Sequence, residues 1–208
     1  MFVERVEVRI YPGFTENCYI VSPSQGAPSV VLVDPGAQPQ LILRALGSRT
    51  VTSIILTHRH YDHTGAVHQL VQATGAQVIA HQLDGPAIEQ NQTTGPMSAK
   101  AKTRPIKVDR LVAEGDTINV GAEELKVLHT PGHTQGCMCL YAPQDHLLLA
   151  GDTLFHEAVG RTDLPTGDAE EMRRSIARLL SLPEDTHVYP GHDRETTIGH
   201  ERQINACI

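Results

Sequence analysis

Apolar and charged residues alternate from Val3 to Ile10, most clearly at Val6, Val8 and Ile10, and this period of two predicts a strand with one face on a core. Short β-branched runs follow at Asn17 to Val21 and Ser29 to Val33. The turn signals Pro12-Gly13, Pro23-Ser24 and Pro35-Gly36 separate these runs. Gln38 to Leu46 reads as a helix stopped by Gly47, and Ser53 to Thr57 as a buried strand from its continuous apolar run. His58 to Gly65 is then a loop leading into a helix over Ala66 to Ala73, and Gln77 to Ala80 returns as a strand.

Periodicity is lost from Asn91 to Pro105, which marks either a lid-like segment or a solvated surface loop. The second half repeats the first in outline. Strands are expected at Ile118 to Val120, Leu125 to His129, Cys137 to Tyr141, Leu147 to Ala150 and His187 to Tyr189. Helices are expected at Asp168 to Leu180 and Thr196 to Asn205. Strands followed by helices, twice over and without a linker, predict one α/β domain over residues 1–208, layered with its helices outside.

Composition changes this picture in one respect. Among 208 residues there are 12 His, more than Phe, Tyr and Trp together, beside 17 Lys plus Arg. The net charge of −7 lacks the cationic surplus of a nucleic-acid binder, and no apolar run approaches the roughly 18 residues of a membrane span. Neither nucleic acid nor membrane is therefore an expected partner. The N-terminal residues lack the apolar core of a signal peptide, so a cytoplasmic location is expected. Cys18, Cys137, Cys139 and Cys207 form no C-x-x-C pair and read as free, mostly buried thiols.

Position gives the histidines meaning. Five fall in three short loops, each just after a strand-like run. In Thr57-His58-Arg59-His60-Tyr61-Asp62-His63 four candidate ligands lie within six residues, too many for one face of a regular element, so the chain must turn and crowd them together. Imidazole and carboxylate are the usual donors to zinc-like ions, and a cation offsets the desolvation that such crowding imposes. Leu128 to Gly136 presents His133 on a Pro-Gly turn, Gly151-Asp152 ends an apolar run, and Tyr189-Pro190-Gly191-His192 repeats the His-after-turn arrangement. The set His58, His60, Asp62, His63, His133, Asp152 and His192 exceeds the four ligands of one zinc and suits two metals.

These loops resemble those of metallo-β-lactamase-fold hydrolases, and most closely the short glyoxalase II-like (hydroxyacylglutathione hydrolase-like) proteins. The resemblance rests on T-H-R-H-Y-D-H-T-G at Thr57 to Gly65, H-T-P-G-H-T-Q-G at His129 to Gly136 and G-D-T-L-F at Gly151 to Phe155. G-R-T-D-L at Gly160 to Leu164 and P-G-H-D-R-E-T-T-I-G-H-E at Pro190 to Glu201 extend it, with Asp34-Pro35-Gly36 as a weaker match. It implies an αββα four-layer sandwich with two divalent metal ions at one edge, zinc first, with iron and manganese as alternatives. His58, His60 and His133 would hold one ion, Asp62, His63 and His192 the other, and Asp152 would bridge them. A bridging hydroxide would be the nucleophile, with Asp62 also orienting it or carrying its proton. The implied substrate is a small-molecule thioester, S-2-hydroxyacylglutathione or a relative. Only sixteen residues follow His192, so the C-terminal helical glutathione-binding extension of the long enzymes is not expected.

An iron-dependent persulfide dioxygenase on the same fold is the alternative, resembled at Gly160 to Asp163 and in the run ending at Cys137. Thr153-Leu154-Phe155 and Tyr61 favour the hydrolase. A β-lactamase would carry a signal peptide and a Ser or Cys in place of Asp152, a flavodiiron protein Glu in place of His60, and a nuclease extra nucleic-acid-binding elements. Of the other histidines, His129 lies beside a ligand turn; His68, His81, His146, His156, His187 and His200 are expected at the surface or satisfied inside. Arg161 either meets an anionic substrate or pairs with Asp163. Lys100, Lys102, Arg104, Lys107 and Arg110 form the one basic concentration, read as a solvated face or a carboxylate receiver.

Overall fold

The computed structural model describes residues 1–92 and 104–208. Two six-stranded sheets pack face to face. In the first, β1 (Phe2–Tyr11) and β2 (Phe14–Ser22) form an antiparallel hairpin, β3 (Ser29–Val33) pairs antiparallel with β2, and β4 (Thr50–Leu56), β5 (Gln77–His81) and β6 (Arg110–Val112) continue in parallel. Parallel neighbours need crossovers, supplied here by α1 (Pro39–Leu46) between β3 and β4, and by α2 (Tyr61–Thr64) and α3 (Val67–Thr74) between β4 and β5. The short helix α4 (Gly85–Glu89) follows β5.

In the second sheet β7 (Thr117–Val120), β8 (Glu123–His129), β9 (Met138–Ala142) and β10 (Leu147–Gly151) run antiparallel in sequence order. A two-stranded ribbon, β11 (Leu154–Phe155) and β12 (Ala158–Val159), and the helix α5 (Ala169–Leu179) lead to β13 (His187–Pro190), which lies parallel to β10. β14 (Thr196–Thr197) closes that edge, and α6 (Ile198–Ile204) follows.

Strand parity makes the layers. Tyr19, Val21, Val31, Val33 and Ile55 face Val127, Met138, Leu140 and Leu149 in a core between the sheets. Their neighbours Cys18, Ile20, Val30, Leu32, Ile54 and Leu56 point the other way, against Ile42 and Leu46 of α1 and Val67 and Leu70 of α3. On the far side Cys139, Leu148 and Ala150 pack against Met172, Ile176 and Leu179 of α5 and Ile198 of α6. Because successive strand side chains point to opposite faces, one apolar run fills two cores, and the result is an αββα sandwich. α5 is closed at its start by Asp168, whose Oδ1 accepts from the backbone N–H groups of Glu170 and Glu171 at 2.8 and 3.0 Å.

The described residues depart from the sequence expectation mainly where elements are short. β6, α4 and the β11–β12 ribbon have too few residues for a period to register. Tyr61–Thr64 forms one helical turn inside the expected loop, and Thr196–Thr197 pairs with β13 before the last helix begins. Of Asn91 to Pro105, residues 93–103 lie outside the described residues, as do Lys100 and Lys102 of the basic concentration. The four cysteines are free, with Cys18, Cys137 and Cys139 buried and Cys207 exposed.

The layering brings several loops to one edge. Gly191 N–H donates to Gly151 O at 2.8 Å, tying the ends of the parallel pair β10 and β13. Met138 N–H donates to Thr57 O at 3.0 Å and Asn17 N–H to Gly191 O at 2.8 Å, so both sheets are stitched together where β4 and β13 end.

Candidate metal centre

All seven candidate ligands come together at this edge. His58, His60 and His133 each place one donor atom within 4.8 Å of the others, and so do Asp62, His63 and His192. Asp152 lies between the triads. Its Oδ2 is 3.4 Å from His133 Nε2, 3.6 Å from His192 Nε2 and 4.0 Å from His58 Nε2, while Oδ1 is 3.2 Å from His63 Nε2.

The loops that carry these side chains explain their aim. His60 has extended backbone dihedrals and caps the single turn of α2, which carries Asp62 and His63 round to the second triad. Gly191 lets two loops touch: a Cβ there would lie 2.4 Å from Asp152 Oδ1 and 2.7 Å from His63 Cε1. The Pro190 carbonyl before it accepts from Tyr19 OH at 2.7 Å and Asn17 Nδ2 at 3.0 Å, fixing the loop that presents His192.

Outer hydrogen bonds set the ring orientations. His133 Nδ1 meets Arg161 O at 2.7 Å and His192 Nδ1 meets Thr15 O at 2.6 Å. Since a carbonyl only accepts, these nitrogens carry the protons and each ring offers an Nε2 lone pair inward. His63 Nδ1 lies 3.0 Å from Asp34 Oδ2, which assigns its Nε2 inward in the same way. Asp34 is held in turn by Thr57, whose N–H and Oγ1–H donate to its two oxygens at 2.7 and 2.5 Å. His58 Nδ1 lies 3.1 Å from Thr57 Oγ1.

The donor set fits cations. His63 Nε2 and His192 Nε2 face each other at 3.3 Å and His60 Nδ1 faces His133 Nε2 at 2.8 Å. His58 Nε2, His60 Nε2 and Asp62 Oδ1 are buried with no hydrogen-bond partner. Each unpartnered buried polar atom costs about 1–3 kcal/mol, which coordination to a cation removes. Burial, reinforced for His60 by His133, holds His58 well below the usual histidine range and His60 at about 3, so both rings are neutral, as coordination requires. For His63 burial acts the same way and is the largest single influence, but the Asp152 and Asp34 carboxylates together outweigh it and raise the ring well above its ordinary value. His63, set between Asp152 and Asp34, thus attracts positive charge even before an ion is considered.

A cavity of about 300 Å³ opens on this cluster. Beside the candidate ligands it is lined by Phe14, Phe155, Val159, Leu164 and Arg161. Phe14 stacks on the His192 ring with centroids 4.8 Å apart. Arg161 forms a two-point pair with Asp163 at 2.7 and 2.8 Å, so the ion-pair expectation holds while the residue also borders the cavity. His129 does not reach the ligands; it stacks on His81 and its Nε2 lies 2.9 Å from Gln135 O.

Three buried acids beside the centre carry little or no mark in the sequence. Asp34 was legible only as part of a weak Asp-Pro-Gly match. Glu16 lies 4.0 Å from His63 and accepts from Gly36 N–H at 3.3 Å. Asp84 accepts from Arg59 N–H and Thr134 Oγ1–H at 3.1 and 2.6 Å, bracing the loops of His58 and His133. A single Asp or Glu in a polar stretch carries no signal of burial; only its distant partners do.

The fold and the crowded His/Asp cluster at its edge define a metal-binding hydrolase architecture. The chain belongs to the Metallo-beta-lactamase superfamily, whose family description matches residues 11–192. An uncharacterized protein of Aquifex aeolicus is 41% identical over 91% of this chain and 90% of its own length. The hydroxyacylglutathione hydrolase of Chromohalobacter salexigens is 35% identical over 88% of this chain, which spans 64% of that enzyme. Among solved structures, the BLEG-1 B3 metallo-beta-lactamase superposes with a TM-score of 0.87 at 31% identity, covering 99% of this chain and 98% of its own. TTHA1623 in a di-iron-bound form gives 0.81 at 36%, covering 98% of each chain. ETHE1 from Myxococcus xanthus gives 0.79 at 27%, covering 99% of this chain and 84% of its own. No helix among the described residues is long and apolar enough to cross a membrane.

Proposed function

We propose that the protein is a hydrolase of the glyoxalase II type that cleaves a thioester, S-2-hydroxyacylglutathione or a related compound, with two divalent metal ions. The observation that carries the reading is Asp152, whose carboxylate reaches both triads: Oδ1 lies 3.2 Å from His63, and Oδ2 lies 3.4 Å from His133 and 3.6 Å from His192. His58, His60 and His133 would hold one ion, Asp62, His63 and His192 the other, and Asp152 would be shared. Such a pair supplies water activated near neutral pH and a Lewis acid for the scissile carbonyl. Likeness to the Chromohalobacter hydroxyacylglutathione hydrolase supports the substrate class, and likeness to a di-iron form supports a two-ion centre.

The cavity residues suit a thiolate leaving group. Apart from the candidate ligands, the described lining residues are apolar except for Arg161, whose guanidinium is committed to Asp163. Among the described residues no lining group outside that set is placed to protonate a poor leaving group, and a thiolate departs without that help. Asp62 Oδ1, buried and without a hydrogen-bond partner, is the group assigned to receive the proton of the attacking water. Phe14, Phe155, Val159 and Leu164 would exclude bulk water and receive the apolar parts of the substrate.

The test is metal analysis of protein purified without added metal, joined to three assays: hydrolysis of S-D-lactoylglutathione, oxygen uptake with glutathione persulfide, and hydrolysis of a chromogenic β-lactam. Two ions per chain with thioester cleavage support the proposal. One iron per chain, oxygen uptake and no thioester cleavage would replace it with the persulfide dioxygenase reading, which the likeness to ETHE1 keeps in view. β-Lactam turnover without thioester cleavage would replace it with the activity for which BLEG-1 is named.

A further inference from the structure

A second group of metal-ligating side chains lies away from the edge just described. His156, Glu157 and His200 each bring one donor atom within 4.8 Å of the others. Glu157 Oε1 stands between the rings, 3.0 Å from His200 Nε2 and 3.6 Å from His156 Nε2, and the ring centroids are 4.9 Å apart. All three are at least partly exposed, so an ion reaches them from solvent. We propose that these three residues form a further, solvent-accessible site for a zinc-like divalent ion, and that its occupation reinforces the existing junction of the β11–β12 ribbon with α6.

The site is built before an ion arrives. His156 and Glu157 form the turn of the β11–β12 ribbon, and His200 belongs to α6. Glu157 adopts a left-handed conformation, φ 57°, uncommon for a residue other than glycine. That conformation is held from α6. Glu157 N–H donates to Glu201 Oε2 at 2.9 Å, and Asn205 Nδ2 donates to that same oxygen at 2.8 Å and to Ala158 O at 3.2 Å. Buried Glu201 is locked further by Thr196 Oγ1–H at 2.5 Å. Turn and helix are thus fixed to each other by groups that are not themselves the candidate ligands, which removes ordering cost from binding.

Two imidazoles and one carboxylate favour zinc and its transition-metal neighbours over magnesium or calcium, which prefer all-oxygen sites. Solvent would complete the coordination. One nearby group opposes binding: Arg194 Nη2 approaches His156 Nδ1 at 3.5 Å, placing an exposed guanidinium beside the site. The ribbon also borders the cavity, because Phe155 of β11 and Val159 of β12 both line it. An ion joining the turn to α6 therefore stiffens one wall of the cavity, and reaches the seven clustered ligands only through Phe155, whose ring centroid lies 6.0 Å from that of His192.

The test is equilibrium dialysis of the as-purified protein against Zn²⁺, with KM for whichever substrate the assays identify measured in parallel. The wild-type chain is expected to bind one equivalent beyond those held by the seven-residue cluster. His200→Ala and Glu157→Gln are expected to weaken that equivalent at least tenfold while keeping the others, and Arg194→Gln to tighten it several-fold by removing a neighbouring cation. A wild-type chain with no extra equivalent, or one retained with full affinity in the His156→Ala/His200→Ala double variant, overturns the site. An extra equivalent lost in these variants while KM stays the same with and without it upholds the site and overturns its action on the cavity.

Discussion

Asp34 and His63, twenty-nine positions apart, meet at 3.0 Å between Oδ2 and Nδ1, and this contact turns the His63 Nε2 toward Asp152. Asp34 is itself fixed by two hydrogen bonds from Thr57, the residue just before His58. One carboxylate thereby orients a ring of one triad and anchors the strand end that carries a ring of the other. Asp34→Ala is expected to lower metal affinity about 10–100-fold, as outer-partner removals typically do. Competition with a graded chelator reads this; unchanged affinity would show that packing alone holds the His63 ring.

A second prediction concerns the close approach at Gly191. A methyl group there meets Asp152 Oδ1 at 2.4 Å and His63 Cε1 at 2.7 Å, so one of the two must move. Gly191→Ala is expected to lower metal content and activity more than tenfold, with destabilisation of about 1–3 kcal/mol from overpacking. Metal analysis and denaturant unfolding of the same sample separate the effects, and wild-type metal content in a folded variant would refute the prediction.

These two positions show which parts of the centre could be read in the sequence. His58, His60, Asp62 and His63 announce themselves by crowding, and the Pro-Gly turns before His133 and His192 repeat a recognisable local pattern. Asp34, Glu16 and Asp84 carry no comparable mark, since their work depends on partners brought close by sheet packing. The fold shows the same division. Strand parity and glycine stops gave the long elements, whereas β6, α4 and the β11–β12 ribbon owe their pairing to tertiary context. His156 and His200 read as ordinary surface residues because 44 positions separate them; only the fold brings His200 to the turn that holds His156 and Glu157.

Asp168 offers a test of stability with little effect on the centre. Its carboxylate caps α5, and its backbone N–H, which any residue retains, donates to Gly132 O at 2.8 Å beside the His133 turn. Asp168→Ala removes the cap and keeps that backbone bond. A loss of about 1 kcal/mol is expected, lowering Tm by roughly 2–4 °C, with metal content unchanged. Loss of metal in this variant would mean that the cap also positions His133.

The last prediction follows from His81, whose side chain lies against the His129 ring with centroids 4.2 Å apart and planes 13° from parallel. Burial, with the His129 ring adding to it, lowers its pKa from 6.5 to about 4. Well above pH 6.5 the ring is neutral in both folded and unfolded chains and contributes no pH dependence. Between pH 6.5 and 4 the unfolded chain binds a proton that the folded chain refuses, so stability falls as pH falls. With solvent screening allowed for, this ring accounts for about 1 kcal/mol between pH 7 and pH 5. Leu83 N–H lies 3.4 Å from the His81 Nδ1, and a glutamine retains an acceptor near that donor without a titrating group. His81→Gln is therefore expected to show a smaller drop in unfolding free energy from pH 7 to pH 5 than the wild-type chain, measured by urea denaturation at both values. Equal drops in the two chains would show that His81 is protonated in the folded protein and that its burial does not penalise charge.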